Sequence, residues 1–467
     1  MTVNTKLVVS SPVFAFQHLG SRQEKLDGRE RHGRRAFLTK SKETNNLFRK
    51  IQNKHFAISL RIGFVLLALI SLQVASLADV VTDWNQITLS TQAAVPGAIR
   101  TPPASRALAM VHAAIYDSVN AIDRKYTVYA VDAHAPDGAS PEAAAAAAAH
   151  RVLLGLYPGQ QVNINAAYAA SLSQIPDGQS KIDGMNLGEF VGASILALRS
   201  GDGSGLNPLY NQPVAPGVWQ PAVPGTALFV GWGQVTPFAI NSGSQFRADG
   251  PPDLTSAEYA ADFNEVKSLG AINSATRTAY QTETALFWAE NSQINWNHIA
   301  VSAANTRQNC LDENARLFAL LNIAGADTAI AVFDSKYTYN FWRPIAAIRA
   351  ADTDGNDGTE ADLNWTSLVT TPAHPDYTSQ HSAMGASAAE VLADFFGTDD
   401  IGFSLTTSTA PGGVVRSYTS FSQAAKENME SRILIGYHFR SACRHGFNQG
   451  KQVGNFVFRH VLKPVKG

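Results

Sequence analysis

Ser105-Arg-Ala-Leu-Ala-Met-Val-His-Ala-Ala-Ile-Tyr-Asp-Ser-Val-Asn-Ala-Ile122 places Leu108, Val111, Ile115, Val119 and Ile122 at steps of three and four residues. That step is the period of one helix face, and Pro102 and Pro103 just ahead of it suit a helix start. The same reading extends outward. Pro141 and Glu142 open a run of seven alanines that continues through Val152 and Leu156 and stops at Pro158-Gly159, a second helix. Further helices are expected near 184–199, 256–268, 274–290, 311–333, 380–396, 420–439 and 446–461. Residues 201–254 gather Gly and Pro around Trp219, Phe229 and Trp232, which reads as a long ordered loop walling a cleft. Strand-like alternation is scarce and no period of 20–50 residues repeats. The fold class is therefore all-α, a packing of roughly ten helices on shared apolar faces.

The chain has 467 residues, 45% of them apolar and 16% charged, an ordinary globular composition with room for a large core. Its net charge of −1 hides an asymmetry: residues 1–78 carry 13 Lys/Arg against 4 Asp/Glu, leaving the remainder at −10. A body with that balance is a poor general binder of nucleic acid, whose phosphates need a basic surface. Residues 62–78 hold no charge, follow Arg61 and Lys54, and end in Ser76 and Ala78 at an A-x-A-like spacing. That is the layout of a secretory signal. It predicts export with the catalytic body from residue 79 onward, an uncleaved N-terminal anchor being the alternative. Residues 1–60 read as a polar basic extension or a misassigned start. The two cysteines, Cys310 and Cys443, exclude a four-cysteine zinc site and leave one bridge open.

Three short segments in the C-terminal third carry the chemistry. In Lys336-Tyr-Thr-Tyr-Asn-Phe-Trp-Arg343-Pro344, seven residues separate two cations, about two helical turns, so the spacing predicts one shared helix face. In His374-Pro-Asp-Tyr-Thr-Ser379-Gln380-His381-Ser382, a proline-bearing loop feeds an Ala-rich helix, whose N-terminus is a ready anion site with His381 in its first turn. In Ser431-Arg432-Ile-Leu-Ile-Gly436-Tyr-His438, the Arg and His point about 120° apart on an ideal helix, and Gly436 loosens that helix between them. One Lys, two Arg and two His in an acidic body suit a tetrahedral or trigonal-bipyramidal oxyanion. Asp352-Thr-Asp354-Gly-Asn356-Asp357 begins like a calcium loop but lacks the turn Gly and the twelfth-position Glu, so it reads as a solvated acidic loop. Tyr339, Phe341 and Trp342 read as core or cleft wall.

Taken together, Lys-x6-Arg-Pro, a Ser-x-His loop and Ser-Arg-x5-His resemble the superfamily joining vanadium-dependent haloperoxidases with type 2 phosphatidic acid phosphatases and bacterial acid phosphatases. Ala315-Arg-Leu-Phe-Ala-Leu-Leu321, Tyr339-Asn-Phe-Trp-Arg-Pro-Ile345 and the stretch from Met110 to Ile122 are similar to the haloperoxidase branch. The resemblance implies two packed helical bundles with vanadate between them, phosphate being able to occupy the same place. His438 would bind the metal through one ring nitrogen. Lys336, Arg343, Arg432, Ser379 and the backbone N–H of Gln380 would hold its oxygens, and His381 would be the acid–base group. The implied partners are hydrogen peroxide, a halide and small organic acceptors, with no nucleic acid. A soluble phosphatase working through phosphorylated His438, or a non-catalytic oxyanion binder, are the alternatives. A membrane-embedded phosphatase would need several apolar runs, and only 62–78 approaches one.

The sequence also departs from the family pattern. Gln380 stands where relatives carry Gly, a cost if the loop needs a positive φ. Ala442 and Cys443 occupy the region after His438 where an acidic residue often supports the His. Glu290 stands where relatives place a carboxylate behind the second Arg. His374 stands where bromide-oxidising relatives carry His, which favours bromide or iodide.

Overall fold

The computed structural model describes residues 79–465 except 99 and 224. The signal-like segment and the extension before it lie outside the described residues. From Val80 onward the chain folds helix after helix. The first five are α1 (Val80–Ala93), α2 (Pro103–Asp123), α3 (Pro141–Leu156), α4 (Gln161–Ser173) and α5 (Gln179–Leu198). Then come α6 (Ala257–Leu269), α7 (Ala279–Phe287), α8 (Ser292–Arg307), α9 (Leu311–Tyr339), α10 (Pro344–Arg349) and α11 (Gln380–Phe396). A two-stranded antiparallel ribbon, β1 (Phe403–Leu405) with β2 (Arg416–Tyr418), precedes α12 (Phe421–Leu434) and α13 (Arg440–His460). Local chemistry starts many of them: Asp79 and Thr82 form a capping box on α1, and Ser140 caps α3 just before Pro141.

Two bundles share α9. On one side α2, α3 and α5 pack together; on the other, α11, α12 and α13 do, and α9 lies against α2, α11 and α13. Length and hydropathy alone would let α9 cross a membrane, but it is enclosed by its neighbours and forms the core. The alanine run of α3 is wholly buried because its small side chains let α5 approach closely. The same device sets the second bundle. Gly446, Gly450 and Gly454 of α13 face the Ser379, Ala383 and Ser387 carbonyls of α11, and a Cβ at Gly446 would stand 2.6 Å from Ser379 O. That contact fixes the end of α11, where Ser379 N–H also donates to Ala442 O at 2.9 Å.

Four helices escape the periodicity reading: α1, α4, α8 and α10. Within α4 only Ile164 is buried, and α8 buries Ser292, Gln293, Asn295 and Asn297 beside its apolar residues, so neither shows the apolar contrast on which such a reading depends. Two boundaries are corrected. Helix α9 ends at Tyr339, with Asn340 at φ +50°, so Lys336 and Arg343 do not share a helix face, and Pro344 opens α10. Helix α12 ends at Leu434 and Gly436 takes φ +82°, pressed against Gly270, so Arg432 is helical while His438 lies in the turn before α13. The 201–254 loop holds one short 3₁₀ turn, Trp232–Gln234, and is pinned where Phe238, Ala239 and Ile240 donate their N–H groups to Asp327 of α9. Residues 352–357 close on themselves: Asp354 accepts from Asn356 N–H and Thr359 Oγ1, and Asn356 donates to Leu254 and Ser256 carbonyls. Phe341 and Trp342 are core; Cys310, exposed, and Cys443, buried, are both free.

Candidate active site

The breaks after α9 and α12 and the loop before α11 meet in one place. Lys336, at the end of α9, is fully buried, and its Nζ donates to the carbonyls of Pro375 and Asp376, each at 2.8 Å. Arg343 caps α10 with its backbone and sends its side chain inward. Nε donates to His374 O at 2.9 Å, Nη1 to Tyr437 O at 3.0 Å and to His438 Nε2 at 3.1 Å, and Nη2 to His374 Nδ1 at 3.0 Å. Arg432 donates to Trp288 O at 2.9 Å and lies over the Tyr437 ring, 5.1 Å from its centroid; its buried Nε has no partner. So the three cations come together although Arg343 lies beyond the helix that its spacing from Lys336 predicts. Burial pulls all three down from their ordinary pKa values, Arg432 to about 10 and Lys336 well below its usual range.

His438 Nδ1 lies 2.8 Å from Asp376 Oδ1, bent away from a linear hydrogen bond, while Nε2 accepts from Arg343. That contact assigns the proton to Nδ1 and the lone pair to Nε2, on the side of the guanidinium. Asp376 is the residue the sequence reading missed. It replaces the acidic support sought after His438, from a loop instead of from α13. Its signal was its place in His374-Pro-Asp376, two residues beyond one site histidine and three before Ser379. Burial pushes its carboxyl up to about 7 against the pull of Arg343 and Lys336.

Helix α11 begins at Gln380 behind Ser379, whose hydroxyl makes no capping bond and accepts from Ser382 Oγ at 2.9 Å. The first-turn N–H groups are therefore left for another acceptor. Gln380 is helical, not at positive φ, so replacing Gly costs the backbone nothing here; its side-chain Nε2 is buried without a partner. His381 Nε2 lies 3.1 Å from Glu290 O. A carbonyl only accepts, so Nε2 carries the proton and Nδ1 is the basic nitrogen. The Glu290 carboxylate turns elsewhere: Oε1 accepts from Ser408 N–H at 3.0 Å, and no ion pair joins it to Arg432 among the described residues, which corrects its expected place. His374 and His438 are held neutral by burial and then by the neighbouring cations, His381 by burial and then Arg432.

A cavity of about 420 Å³ opens above Arg343, His374, Gln380, His381, Arg432 and His438. Among the described residues Asp376 is the one carboxylate within ion-pair reach of any of the three cations, 3.9 Å from Arg343 Nη1. Buried charges left without counterions cost several kcal/mol each. The donor set therefore fits a multiply charged oxyanion: cations in excess, an unpartnered Arg432 Nε, an open helix N-terminus and one imidazole lone pair. No cluster of three or more His, Cys, Asp or Glu side chains that could chelate a bare cation occurs among the described residues.

The fold is thus an all-helical pair of bundles, with a buried cationic cup whose donors fit an oxyanion. A family model described as "VCPO second helical-bundle domain" matches residues 316–467. The vanadium chloroperoxidase of Curvularia inaequalis is 25% identical, over 76% of this chain and 78% of its own. A crystal structure titled as the first bacterial vanadium-dependent iodoperoxidase superposes with a TM-score of 0.72 at 25% identity, covering 82% of this chain and 98% of that one. A bacterial vanadium-dependent chloroperoxidase, in its holo form, shares the fold at TM-score 0.62 and 16% identity, over 76% and 90% of the two chains. The chain is thus similar to vanadium haloperoxidases and shares their two-bundle helical fold.

Proposed function

We propose that the protein is a vanadate-dependent haloperoxidase that oxidises bromide or iodide with hydrogen peroxide to a hypohalous species. The observation that carries this reading is the buried, under-neutralised cup with His438 Nε2 turned into it and Asp376 behind the ring. Lys336, Arg343 and Arg432 would hold the oxyanion's charge, with the Ser379 hydroxyl and the Gln380 N–H completing its donors, and His438 Nε2 would be its one imidazole ligand. Bound vanadate would supply a Lewis-acidic centre that polarises peroxide without a change of oxidation state. His381 does the proton work. Its Nδ1 takes the proton of incoming peroxide and returns it to the departing oxygen, while Glu290 O holds the other ring nitrogen. Neutral His381 is the form needed to accept that proton, and burial beside Arg432 keeps it neutral. His374 orients Arg343 through both its carbonyl and its ring. The preference for bromide or iodide is supported by His374 lining the cavity and by the likeness to the iodoperoxidase.

The test is reconstitution of purified protein with orthovanadate, followed by peroxide-dependent halogenation of a phenolic dye with bromide, iodide and chloride. Bromination without vanadate, or undiminished in His438→Ala, would defeat this reading. Hydrolysis of a chromogenic phosphomonoester by the vanadate-free protein, without halogenation, would make it a phosphatase with His438 as nucleophile. Neither activity would leave a non-catalytic oxyanion binder.

A further inference from the structure

The cavity has two storeys. Its floor is the buried cup; its upper wall is half-exposed and mostly apolar, formed by Leu228, Phe229, Pro372 and Ala373, with exposed Arg100 at the rim. A volume of about 420 Å³ falls in the range of about 300–1,000 Å³ that small-molecule pockets occupy. It is far more than an oxyanion of four or five oxygens fills. Phe229 holds φ +61°, a backbone region that bulky side chains avoid at a cost of roughly 1–3 kcal/mol. Its ring is clamped edge-on by Trp232 and Phe333, with centroids 6.0 and 5.7 Å away, and the Phe333 ring in turn packs on His374 at 5.2 Å. A strained aromatic, braced from behind and presented to a cavity, has the marks of a binding wall. The Arg100 side chain has no hydrogen-bond or ion-pair partner among the described residues.

We infer that this upper storey binds the organic acceptor, and that the acceptor is a compact phenol bearing a carboxylate: the ring on Phe229 and Leu228, the carboxylate on Arg100. The inference deepens the haloperoxidase reading and rests on it for the reaction, though not for the binding. An electron-rich ring suits the chemistry below it. A ring carbon shares its π pair with the halogen of HOX as the O–X bond breaks; the hydroxide so released takes the ring proton, giving Ar–X and water.

4-Hydroxybenzoate and its neutral analogue 4-hydroxybenzyl alcohol are titrated by calorimetry into vanadate-free protein saturated with phosphate. These arms contain no vanadate, peroxide or halide. The acid should bind saturably without releasing phosphate. Arg100→Gln should weaken the acid at least fivefold and leave the alcohol within twofold. Phe229→Gly should weaken both about tenfold while phosphate affinity holds; the packing lost on Trp232 and Phe333 lowers the melting temperature. No saturable binding, displacement of phosphate by the acid, or variants within twofold of wild type would each overturn the inference. With vanadate, peroxide and bromide added, the bromination rate should saturate at the acid's dissociation constant; a rate independent of acid would also overturn it. Normal binding with no halogenation at all would instead sink the haloperoxidase reading and leave the site standing.

Discussion

Replacing Asp376 with asparagine separates two things the carboxylate does at once: it orients and enriches the His438 ring, and it adds a negative charge beneath an anion site. The amide keeps shape and an acceptor oxygen but loses the charge. On the proposed reading vanadate would depend on a bond from His438 Nε2, and loss of such outer support costs about 10- to 100-fold in metal affinity, or roughly 1.4–2.7 kcal/mol. Phosphate would be held by charge and N–H donors without that bond. For phosphate the missing repulsion acts across an imidazole, roughly 7 Å, and at an effective dielectric near 20 is worth on the order of 2 kcal/mol in the opposite direction. At pH 8, above the carboxyl's value of about 7, the expected outcome is weaker vanadate binding with unchanged or tighter phosphate binding. Titration with ⁵¹V NMR for vanadate and calorimetry for phosphate reads both. The fold should survive. A carboxyl whose pKa is higher folded than unfolded subtracts stability as pH rises from 3.8 to about 7, so at pH 8 the variant without ligand should be more stable, by at most about 4 kcal/mol. Equal weakening of both anions would show that Asp376 merely shapes the cup, and the argument for its action through His438 would fail.

Other expectations follow from the same geometry. Phosphate binding at pH 8 should take up protons, because His374, His381 and His438 are depressed by burial and cations and an arriving dianion raises them; calorimetry in buffers of different ionisation enthalpy measures it, and a zero slope would refute it. His112 is buried with its pKa pulled to about 3, so the unfolded chain protonates first and stability falls as pH drops below 6.5. By pH 5 that loss is about 2 kcal/mol, and urea midpoints of His112→Gln should show a shallower acid slope. Gly450→Ala should destabilise by about 2–3 kcal/mol or more, since its Cβ would meet the Ala383 backbone, which cannot rotate aside; thermal melts test it.

The sequence was most legible where contrast was strongest. A three- and four-residue recurrence of large apolar side chains reveals α2, and the alanine run reveals α3. Such recurrence is weaker in α8, where amide side chains share the buried positions. The site was legible by residue type and order, and Lys336, Arg343, His374, Gln380, His381, Arg432 and His438 do converge. Their geometry was not legible, because helical spacing assumes an unbroken helix, and the breaks at Asn340 and Gly436 rest on contacts made by distant residues such as Gly270. Asp376 was hidden for a related reason: support for a histidine was sought along its own helix, whereas the fold delivers it from a loop 62 residues earlier.

Those breaks also explain how three buried cations persist in a stable protein. A helix interior uses its carbonyls internally, but chain ends and linkers leave theirs free. Lys336 is held by the carbonyls of Pro375 and Asp376, Arg343 by those of His374 and Tyr437, and Arg432 by that of Trp288. Carbonyl dipoles solvate a cation without cancelling its charge, as a carboxylate would. The cup thus stays positive and ordered at once. Had Glu290 paired with Arg432, one of those charges would be spent inside the protein and lost to the anion. Its turn toward Ser408 keeps that charge available, so Glu290→Gln should alter anion affinity far less than Asp376→Asn does. A loss in Glu290→Gln as large as in Asp376→Asn would mean that the Arg432 charge is set by that carboxylate after all.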